Sequence, residues 1–348
     1  MTGIVILGAG RWGNHLIRIF SQHPEAKIVA IVDPDADRLQ AIAEKFNFDP
    51  SVVLTTGWPA ARNLPQVEAV AVTSPASTHY DIIADALKRG FHVLAEKPLT
   101  LDPASSLELC RLAEQQQRQL MVDHTYLFNP AIAKGREVVQ GGTLGQCRYG
   151  YAARTHLGPI RTDVDALWDL AIHDISIFNC WLGAMPVKVR ATGTTWLQDN
   201  AEDWELFPRG LADVVWLQLS YPGSVHVVVH LCWCNPDKQR RLALTGSDGT
   251  LIFDEMNADS PLTLCRGRAE PEGDRWLPVG GDRETVTYDP GEPLKEVCDR
   301  FLESVRSRQP VEVSSGWVGA QLVRVLAALS ESMRQGGQAI ALKSVTSF

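Results

Sequence analysis

The chain has 348 residues and a formal net charge of -8 at pH 7, with 45% hydrophobic and 21% charged residues. This composition is typical of a folded globular protein, and the length predicts two domains. The acidic balance, without a run of Lys or Arg, argues against a nucleic-acid partner. No apolar run reaches about 18 residues, so no membrane partner is expected. The seven cysteines are interpreted as reduced thiols of a cytoplasmic protein.

The first 122 residues alternate short apolar segments with helical periods. Six predicted strands cover residues 4–7, 27–32, 51–54, 69–72, 92–95 and 120–122. Strands that alternate with helices imply parallel pairing through right-handed crossovers. The sequence therefore predicts an α/β Rossmann-like N-terminal domain over residues 1–122.

From about residue 145 the predicted strands are longer and follow one another directly. They cover residues 147–155, 187–197, 212–221, 224–234, 240–246 and 250–253. Predicted helices cover about 163–182, 292–307 and 315–335. Consecutive strands without intervening helices indicate antiparallel pairing. We therefore expect residues 123–348 to form an α+β C-terminal domain, with a mostly antiparallel sheet, that binds the substrate.

A glycine-rich turn follows the first predicted strand. Gly8 permits the tight turn, Gly10 the close approach of a pyrophosphate, and Gly13 the close packing of helix on strand. Arg11 and Trp12 open the following helix, whose N-terminus attracts an anion. These five residues are therefore predicted to bind a dinucleotide. A glycine-rich turn in a fold without a ligand is the alternative.

Asp33 follows the second predicted strand, twenty residues after Gly13. A carboxylate at this place accepts hydrogen bonds from the adenosine ribose hydroxyls and repels a 2'-phosphate. The expected cofactor is therefore NAD rather than NADP. Arg38 stands close by and would oppose this preference.

The turn after the fourth predicted strand is polar. It contains Thr73 and Ser74, and His79 opens the helix that follows. The carboxyl ends of parallel strands border the ligand crevice in such folds, so these three residues are predicted to contact the cofactor. Ordinary turn and helix-cap roles explain the segment equally well.

The fifth predicted strand ends in Glu96, Lys97 and Pro98. Proline restricts the residue before it to an extended backbone, which projects the Lys97 amine from the end of the strand. Glu96 and Lys97 are therefore predicted to lie at the cofactor, with Lys97 also catalytic. A solvated surface lysine is the alternative.

The chain resembles the glucose-fructose oxidoreductase and inositol dehydrogenase family (Gfo/Idh/MocA). The glycine-rich turn, Glu96-Lys97-Pro98 and a helix with the pattern Asp-x-x-x-His carry the resemblance. It implies transfer of a hydride between a nicotinamide cofactor and a secondary hydroxyl or keto group of a sugar, polyol or nucleotide-sugar. It also implies that Lys97, Asp169 and His173 are catalytic. Residues 157–174 look most like the sugar-nucleotide dehydrogenase branch.

Asp169 and His173 are four residues apart on a predicted helix and should project from one face. An Asp beside a His stabilises the protonated imidazole, which suits the His as a general base. Many family members have Gly two residues before this His and Asp three after it. This chain has Ala171 and Ser176 there, so a substrate contact by the later Asp is not assumed.

Three further residues are candidates for substrate contacts. Arg154 and Arg161 flank the predicted site and would bind a carboxylate or phosphate, although solvated strand-end charges are the alternative. His124 follows the sixth predicted strand, where a structural hydrogen bond is the alternative. No metal site is expected. Cys232 and Cys234 stand close together, but they lack the ligand spacings of zinc sites.

Other functions of the same fold remain open. They are a non-catalytic nucleotide-binding regulator, an NAD-dependent glycosidase and an enzyme like biliverdin reductase. The presence of both Lys97 and His173 argues against the regulator. Family members commonly pair through the sheet of the second domain, which implies a homodimer or homotetramer.

Overall fold

The computed structural model describes residues 1–198, 207 and 210–343. The chain divides into two compact units. Unit 1 comprises Met1–Phe128 and Glu292–Arg324, and unit 2 comprises Asn129–Gly291 and Val325–Phe348. The prediction of one domain before residue 123 and one after it requires the chain to cross between domains only once. In the structure the chain returns to unit 1 at Glu292–Arg324.

The N-terminal part of unit 1 alternates strands and helices as predicted. Its elements are β1 Thr2–Leu7, α1 Arg11–Gln22, β2 Ala26–Val32, α2 Ala36–Lys45, β3 Val53–Thr55, α3 Trp58–Ala61, β4 Ala69–Val72, α4 His79–Lys88, β5 His92–Glu96, α5 Pro103–Gln115 and β6 Leu120–Asp123. The strands form one sheet in the order β3-β2-β1-β4-β5-β6, and every neighbouring pair is parallel. This is the Rossmann arrangement, in which the order reverses between β1 and β4.

Unit 2 is built on a second sheet. The elements that follow along the chain are α6 Pro130–Gln140, β7 Cys147–Leu157, α7 Ile172–Leu182, β8 Lys188–Thr194, β9 Val214–Ser220, β10 His226–Cys232, β11 Cys234–Gly246, β12 Gly249–Asp254, β13 Leu262–Glu272, β14 Arg275–Thr285, α8 Pro293–Ser307, α9 Gly316–Arg334 and β15 Ile340–Ala341. The strand order is β14-β13-β12-β11-β7-β10-β9-β8-β15. Among these pairs β7 and β10 are parallel and the others are antiparallel, which confirms a mostly antiparallel sheet.

Helix α8 belongs to unit 1 because of its apolar face. Leu294, Val297 and Phe301 are buried in the same core as Ile4 and Ile6 of β1. Burying a side chain of this size contributes about 1.5–3 kcal/mol. The three together therefore hold α8 on the core of the first sheet by several kcal/mol. The helical pattern of residues 292–307 predicted the helix but not the core that receives it.

Three aromatic side chains anchor α7 within unit 2. Trp168, Phe178 and Trp181 are at most 1% exposed. The indole N–H of Trp181 donates to the carbonyl of Ile132 on α6 at 3.0 Å. A Cβ on Gly135 of α6 would lie 2.6 Å from the Trp181 ring, so only glycine admits the indole there. This packing fixes α7, the helix that carries His173.

Candidate active site

The turn between β1 and α1 is closed by backbone contacts that leave no room for side chains. Gly8 has φ +104°, and its N–H donates to the carbonyl of Val32 at 2.7 Å. The Thr73 hydroxyl lies 2.9 Å from the carbonyl oxygens of both Leu7 and Gly8. A Cβ on Gly13 would lie 1.9 Å from the Gly8 carbonyl oxygen. Gly8 and Gly13 are therefore required by the protein itself.

Gly10 differs from the other two glycines. A Cβ at Gly10 would meet nothing within 4 Å among the described residues. Helix α1 has no side-chain cap in the described part of the chain and no acid in its first turn, whereas α2 is capped by Asp35 and α5 by Asp102. The first N–H groups of α1 therefore suit an anion that approaches the Gly10 backbone. The turn fits the pyrophosphate of a dinucleotide.

Asp33 braces the same turn from the end of β2. It is 2% exposed. One carboxylate oxygen accepts the Ala9 N–H at 2.7 Å, and the other accepts the Asp35 N–H at 2.9 Å. Arg38 Nη1 lies 3.8 Å from the first oxygen. Each carboxylate oxygen can accept a second hydrogen bond, so the bracing role is compatible with a bond from a ribose hydroxyl.

The side chain of His79 connects two of the predicted cofactor loops. It is 1% exposed. Nδ1 lies 2.9 Å from the Pro98 carbonyl oxygen, and Nε2 lies 2.9 Å from the Ser74 carbonyl oxygen. These contacts hold the turn after β4 against the segment after β5. They correspond to the turn role that the sequence left as the alternative, and direct cofactor contacts by Thr73, Ser74 and His79 stay a prediction.

Lys97 follows β5 directly and is half-buried, with a cis peptide bond to Pro98. Its backbone N–H donates to Glu96 Oε2 at 3.3 Å. Glu96 was predicted to lie at the cofactor, but its side chain is buried and within hydrogen-bonding range of Asp123. Burial, together with the Asp123 charge, raises the pKa of Glu96 well above its usual range. The sequence analysis missed Asp123. Its place at the end of the neighbouring strand β6 was the available signal.

His124 makes the structural hydrogen bond that the sequence left as an alternative. The Ser314 hydroxyl donates to the Val122 carbonyl at 2.7 Å, so His124 Nδ1 donates its proton to Ser314 Oγ, 2.8 Å away. Burial, with a contribution from the Lys97 charge, lowers the pKa of His124 to about 3. The ring is therefore neutral at pH 7 and ties β6 to the segment before α9.

In unit 2 the segment that carries Asp169 is not an ordinary α-helix. Leu167–Ala171 form a π-helical turn, and α7 begins only at Ile172. Four residues make roughly one turn both in an α-helix and in the wider π-helix, so the π-helical turn does not contradict a shared face for Asp169 and His173. Asp169 accepts hydrogen bonds at 3.3 Å from Arg161 and from the Trp233 indole. The expected shared face of Asp169 and His173 and their catalytic role stay predictions.

The two candidate arginines differ in their surroundings. Arg154 is buried and forms a two-pronged ion pair with Asp174, at 3.0 Å and 2.9 Å. Removing one partner of such a pair costs about 3–5 kcal/mol, because the other charge stays buried. Arg161 is a third exposed and bonds Asp163 at 2.8 Å besides Asp169. Of the two, Arg161 is the better candidate for a substrate anion.

Asp165 was not predicted as part of the site. Its carboxylate accepts the backbone N–H of Trp168 at 3.0 Å and so opens the π-helical turn. Burial raises its pKa to about 7, and the nearby Asp169 charge adds to the rise. The sequence signal was an Asp directly before an apolar helical segment, the usual place of a helix cap.

The cysteines form no disulfide bond in the described ranges. All seven are free thiols. The Cys234 N–H donates to Cys232 Sγ at 3.2 Å. Within residues 1–198, 207 and 210–343, no three His, Cys, Asp or Glu side chains are grouped so that they could hold a metal ion.

The three glycines of the turn give a direct test of dinucleotide binding. Gly10→Ala should fold with wild-type stability and lose at least tenfold in dinucleotide affinity, because its methyl group projects into the space that a pyrophosphate would use. Gly13→Ala should lower the free energy of unfolding by about 1–3 kcal/mol, since its Cβ overlaps the Gly8 carbonyl. Urea unfolding and calorimetric titration with NADH check both. Tight NADH binding by Gly10→Ala would exclude this turn as the pyrophosphate site.

Comparison with known proteins agrees with this geometry. Residues 2–124 match a family described as an oxidoreductase family with an NAD-binding Rossmann fold, and residues 132–252 match the GFO/IDH/MocA C-terminal domain. A solved structure from Magnetospirillum magnetotacticum MS-1 is 30% identical, with a TM-score of 0.77 over 94% of this chain and 99% of that chain.

Two further similar proteins have names that describe an activity, but one aligns with only part of this chain and the other has low sequence identity. UDP-N-acetylglucosamine 3-dehydrogenase of Acidithiobacillus ferrooxidans is 31% identical over 58% of this chain and 60% of its own length. A 3-ketoreductase from Actinomadura kijaniata, solved with TDP-benzene and NADP, shares the fold at 19% identity and a TM-score of 0.76, over 95% of this chain and 97% of its own. The chain spans 52–60% of the length of the first curated relatives that it matches. The two matched domains and the solved structure show that the chain belongs to the GFO/IDH/MocA family and that its N-terminal unit is an NAD-binding Rossmann domain.

Proposed function

We propose that this protein is an oxidoreductase that moves a hydride between a nicotinamide cofactor and a carbon that bears a secondary hydroxyl or keto group. The observation that carries the proposal is the position of Lys97. It follows β5 directly, at the carboxyl edge of the parallel sheet that also ends in the glycine turn. Ligands of open α/β sheets bind outside this edge.

Lys97, His173 and Asp169 have separate roles in the proposed reaction. Bound NAD supplies the hydride acceptor for alcohol oxidation. As the substrate C–H bond breaks, negative charge grows on the hydroxyl oxygen, and the Lys97 ammonium stabilises it. His173 takes the hydroxyl proton as general base, and Asp169 favours the protonated imidazole. In the reducing direction His173 returns the proton to the oxygen.

The proposed substrate is a sugar, a polyol or a nucleotide-sugar. The names of the two relatives support a nucleotide-linked sugar, since one acts on UDP-N-acetylglucosamine and the other was solved with TDP-benzene. Arg161 supports an anionic group on the substrate, because its guanidinium is a third exposed and has N–H donors beyond the three that Asp163 and Asp169 accept. A planar guanidinium with several donors suits a phosphate or a carboxylate.

The proposed cofactor is NAD rather than NADP. The Asp33 carboxylate supports this choice because a 2'-phosphate beside it would meet a buried negative charge. The NADP in the Actinomadura kijaniata structure shows that the fold also admits the phosphorylated cofactor. Arg38 is 58% exposed and stands at the same place, so Asp33 and Arg38 act in opposite directions.

A homodimer or homotetramer in the cytoplasm is also proposed. The second sheet exposes apolar side chains on three adjacent strands: Tyr149, Trp216 and Val228 are 48%, 57% and 50% exposed. Such a patch favours burial against another subunit. The seven free thiols agree with a reducing compartment. No helix in the described ranges is long and apolar enough to cross a membrane.

The cofactor choice is tested by removing the Asp33 charge. Asp33→Asn should narrow the preference for NADH over NADPH by about tenfold, because roughly 1.4 kcal/mol of charge repulsion corresponds to that factor. Asp35→Asn, which removes an exposed acid beside the same Arg38, is the matched control and should change the ratio less. Calorimetric titration gives both affinities. Tighter binding of NADPH than of NADH by the wild type would contradict the proposal.

The catalytic roles are tested by two substitutions, assayed with nucleotide-sugars and polyols. Lys97→Ala should lower kcat by about 10² to 10³, the loss expected for one charge at a developing oxyanion. His173→Ala should lower kcat for oxidation by about 10² to 10⁴. NADH affinity should be retained in both variants. Near-normal turnover in either variant would remove that residue from the mechanism, and loss of cofactor affinity alone in Lys97→Ala would assign Lys97 to cofactor binding.

A further inference from the structure

Two buried carboxyl groups face each other at the ends of β5 and β6. Glu96 and Asp123 are paired in register on these adjacent strands. They are 8% and 1% exposed, and their carboxyl groups lie within hydrogen-bonding range of each other. Sequence reasoning placed Glu96 at the cofactor and did not single out Asp123. The proposed function gives the pair no task.

The hydrogen bonds of the pair are incomplete unless it holds a proton. Glu96 Oε2 accepts the Lys97 N–H at 3.3 Å, and Asp123 Oδ1 accepts the Thr125 hydroxyl at 2.8 Å. The two other oxygens, Glu96 Oε1 and Asp123 Oδ2, are buried and receive no donor from any described residue. Two ionised carboxylates only accept hydrogen bonds, whereas a protonated one donates to its neighbour. A single proton between Glu96 Oε1 and Asp123 Oδ2 would give both of these oxygens a hydrogen-bond partner.

The charges around the pair agree with one retained negative charge. Lys97 is the cation that acts on both carboxyl groups. His124 is neutral, with its Nδ1 proton donated to Ser314. Burial, with a contribution from the Asp123 charge, raises the pKa of the Cys298 thiol of α8 well above its usual range. The thiol is therefore neutral as well. A second ionised carboxylate would place two like charges opposite each other in a buried site, which desolvation and repulsion both disfavour.

The raised pKa values of Glu96 and Asp123 also favour a retained proton. Burial, together with the Asp123 charge, raises the pKa of Glu96 well above its usual range. Burial raises the pKa of Asp123 to about 6. Protons of such a close pair belong to both groups together. Near pH 7 the pair therefore carries one proton, which resides mainly on Glu96.

We propose that Glu96 and Asp123 share one proton at neutral pH and act together as positioning residues for Lys97. Glu96 holds the backbone N–H of Lys97, and the shared proton links Glu96 to Asp123 on the next strand. Loss of that proton places two negative charges opposite each other and weakens the hold on the segment that begins at Lys97. The positioning role rests on the proposed function of Lys97, but the shared proton does not.

The first test detects the shared proton through the pH dependence of the free energy of unfolding and does not depend on enzyme activity. A carboxyl group whose pKa is raised by folding stabilises the protein below the unfolded pKa of about 4, and this stability is lost as the pH rises through the folded value. From about pH 5 to 8 the wild type should therefore lose stability relative to Glu96→Gln, by up to tenfold in the unfolding constant per pH unit. Urea unfolding measures this. Glu44→Gln, an exposed acid in the same unit, should keep the wild-type slope.

A second variant keeps the shared proton testable even if Glu96→Gln does not fold, and a spectroscopic measurement detects the proton directly. Asp123→Asn should also flatten the pH dependence, because its amide donates to Glu96 and no charge opposes it. At pH 7 the infrared difference spectrum between the wild type and Glu96→Gln should show the band of a protonated carboxyl group, because the contribution of Asp165, whose pKa is about 7, is common to both and cancels. If the wild type and Glu96→Gln have parallel stability profiles, or if the difference spectrum has no such band, the shared proton is excluded.

The second test uses turnover and isolates the positioning role. We expect the kcat of the wild type to decline as the pH rises and the pair loses its proton. Glu96→Gln keeps both hydrogen bonds and should retain kcat within about threefold at pH 7 without this decline. Glu96→Ala should lower kcat by about 10- to 10²-fold with NADH affinity unchanged, since small misplacements of a catalytic group have effects of this size. Unchanged kcat in Glu96→Ala would remove the positioning role while leaving the proton in place. An inactive wild type with the predicted stability profile would instead contradict the proposed function.

Discussion

The contact between the Gly13 backbone and the Gly8 carbonyl determines the architecture of the N-terminal unit. Because a Cβ there would lie 1.9 Å from the carbonyl oxygen, α1 can lie this close to β1 only with glycine. The same carbonyl accepts a hydrogen bond from the Thr73 hydroxyl, which follows β4. The Asp33 carboxylate, which follows β2, accepts a hydrogen bond from the N–H of Ala9, the next residue of the turn. Three strand ends are thus tied to one turn. The helix N-terminus that opens from it can then receive an anion.

Elements of unit 1 that depend on local sequence were predicted correctly. Strand β1, the glycine turn and the start of α1 lie close together in the chain, and each has its own sequence signal. The ribose contact expected of Asp33 stays a prediction. Features that depend on strand order were not predicted. The Glu96–Asp123 pair exists only because β5 lies beside β6 in a particular register, and no local pattern of the sequence contains that register. The return of α8 to the first core is of the same kind.

In unit 2 the sequence did not reveal the partners of the charged side chains, for a different physical reason. The sequence predicted one helix over about 163–182, whereas Leu167–Ala171 form a π-helical turn before α7. Buried charges in this unit are also satisfied by partners that are distant in sequence. Arg154 is neutralised by Asp174, twenty residues away, and the Trp233 indole donates to Asp169. Residue types alone could not separate the buried ion pair of Arg154 from the partly exposed guanidinium of Arg161.

The central claim is that the protein transfers a hydride from a substrate carbon to a bound nicotinamide. The most direct measurement uses nucleotide-sugars and polyols that carry deuterium on the carbon of a secondary hydroxyl, incubated with the wild type and NAD. Mass spectrometry of the recovered cofactor should find the deuterium on the nicotinamide ring, with Lys97→Ala slower under the same conditions. Oxidised product without deuterium in the cofactor, or tight NAD binding with no transfer from any member of the panel, would contradict the account.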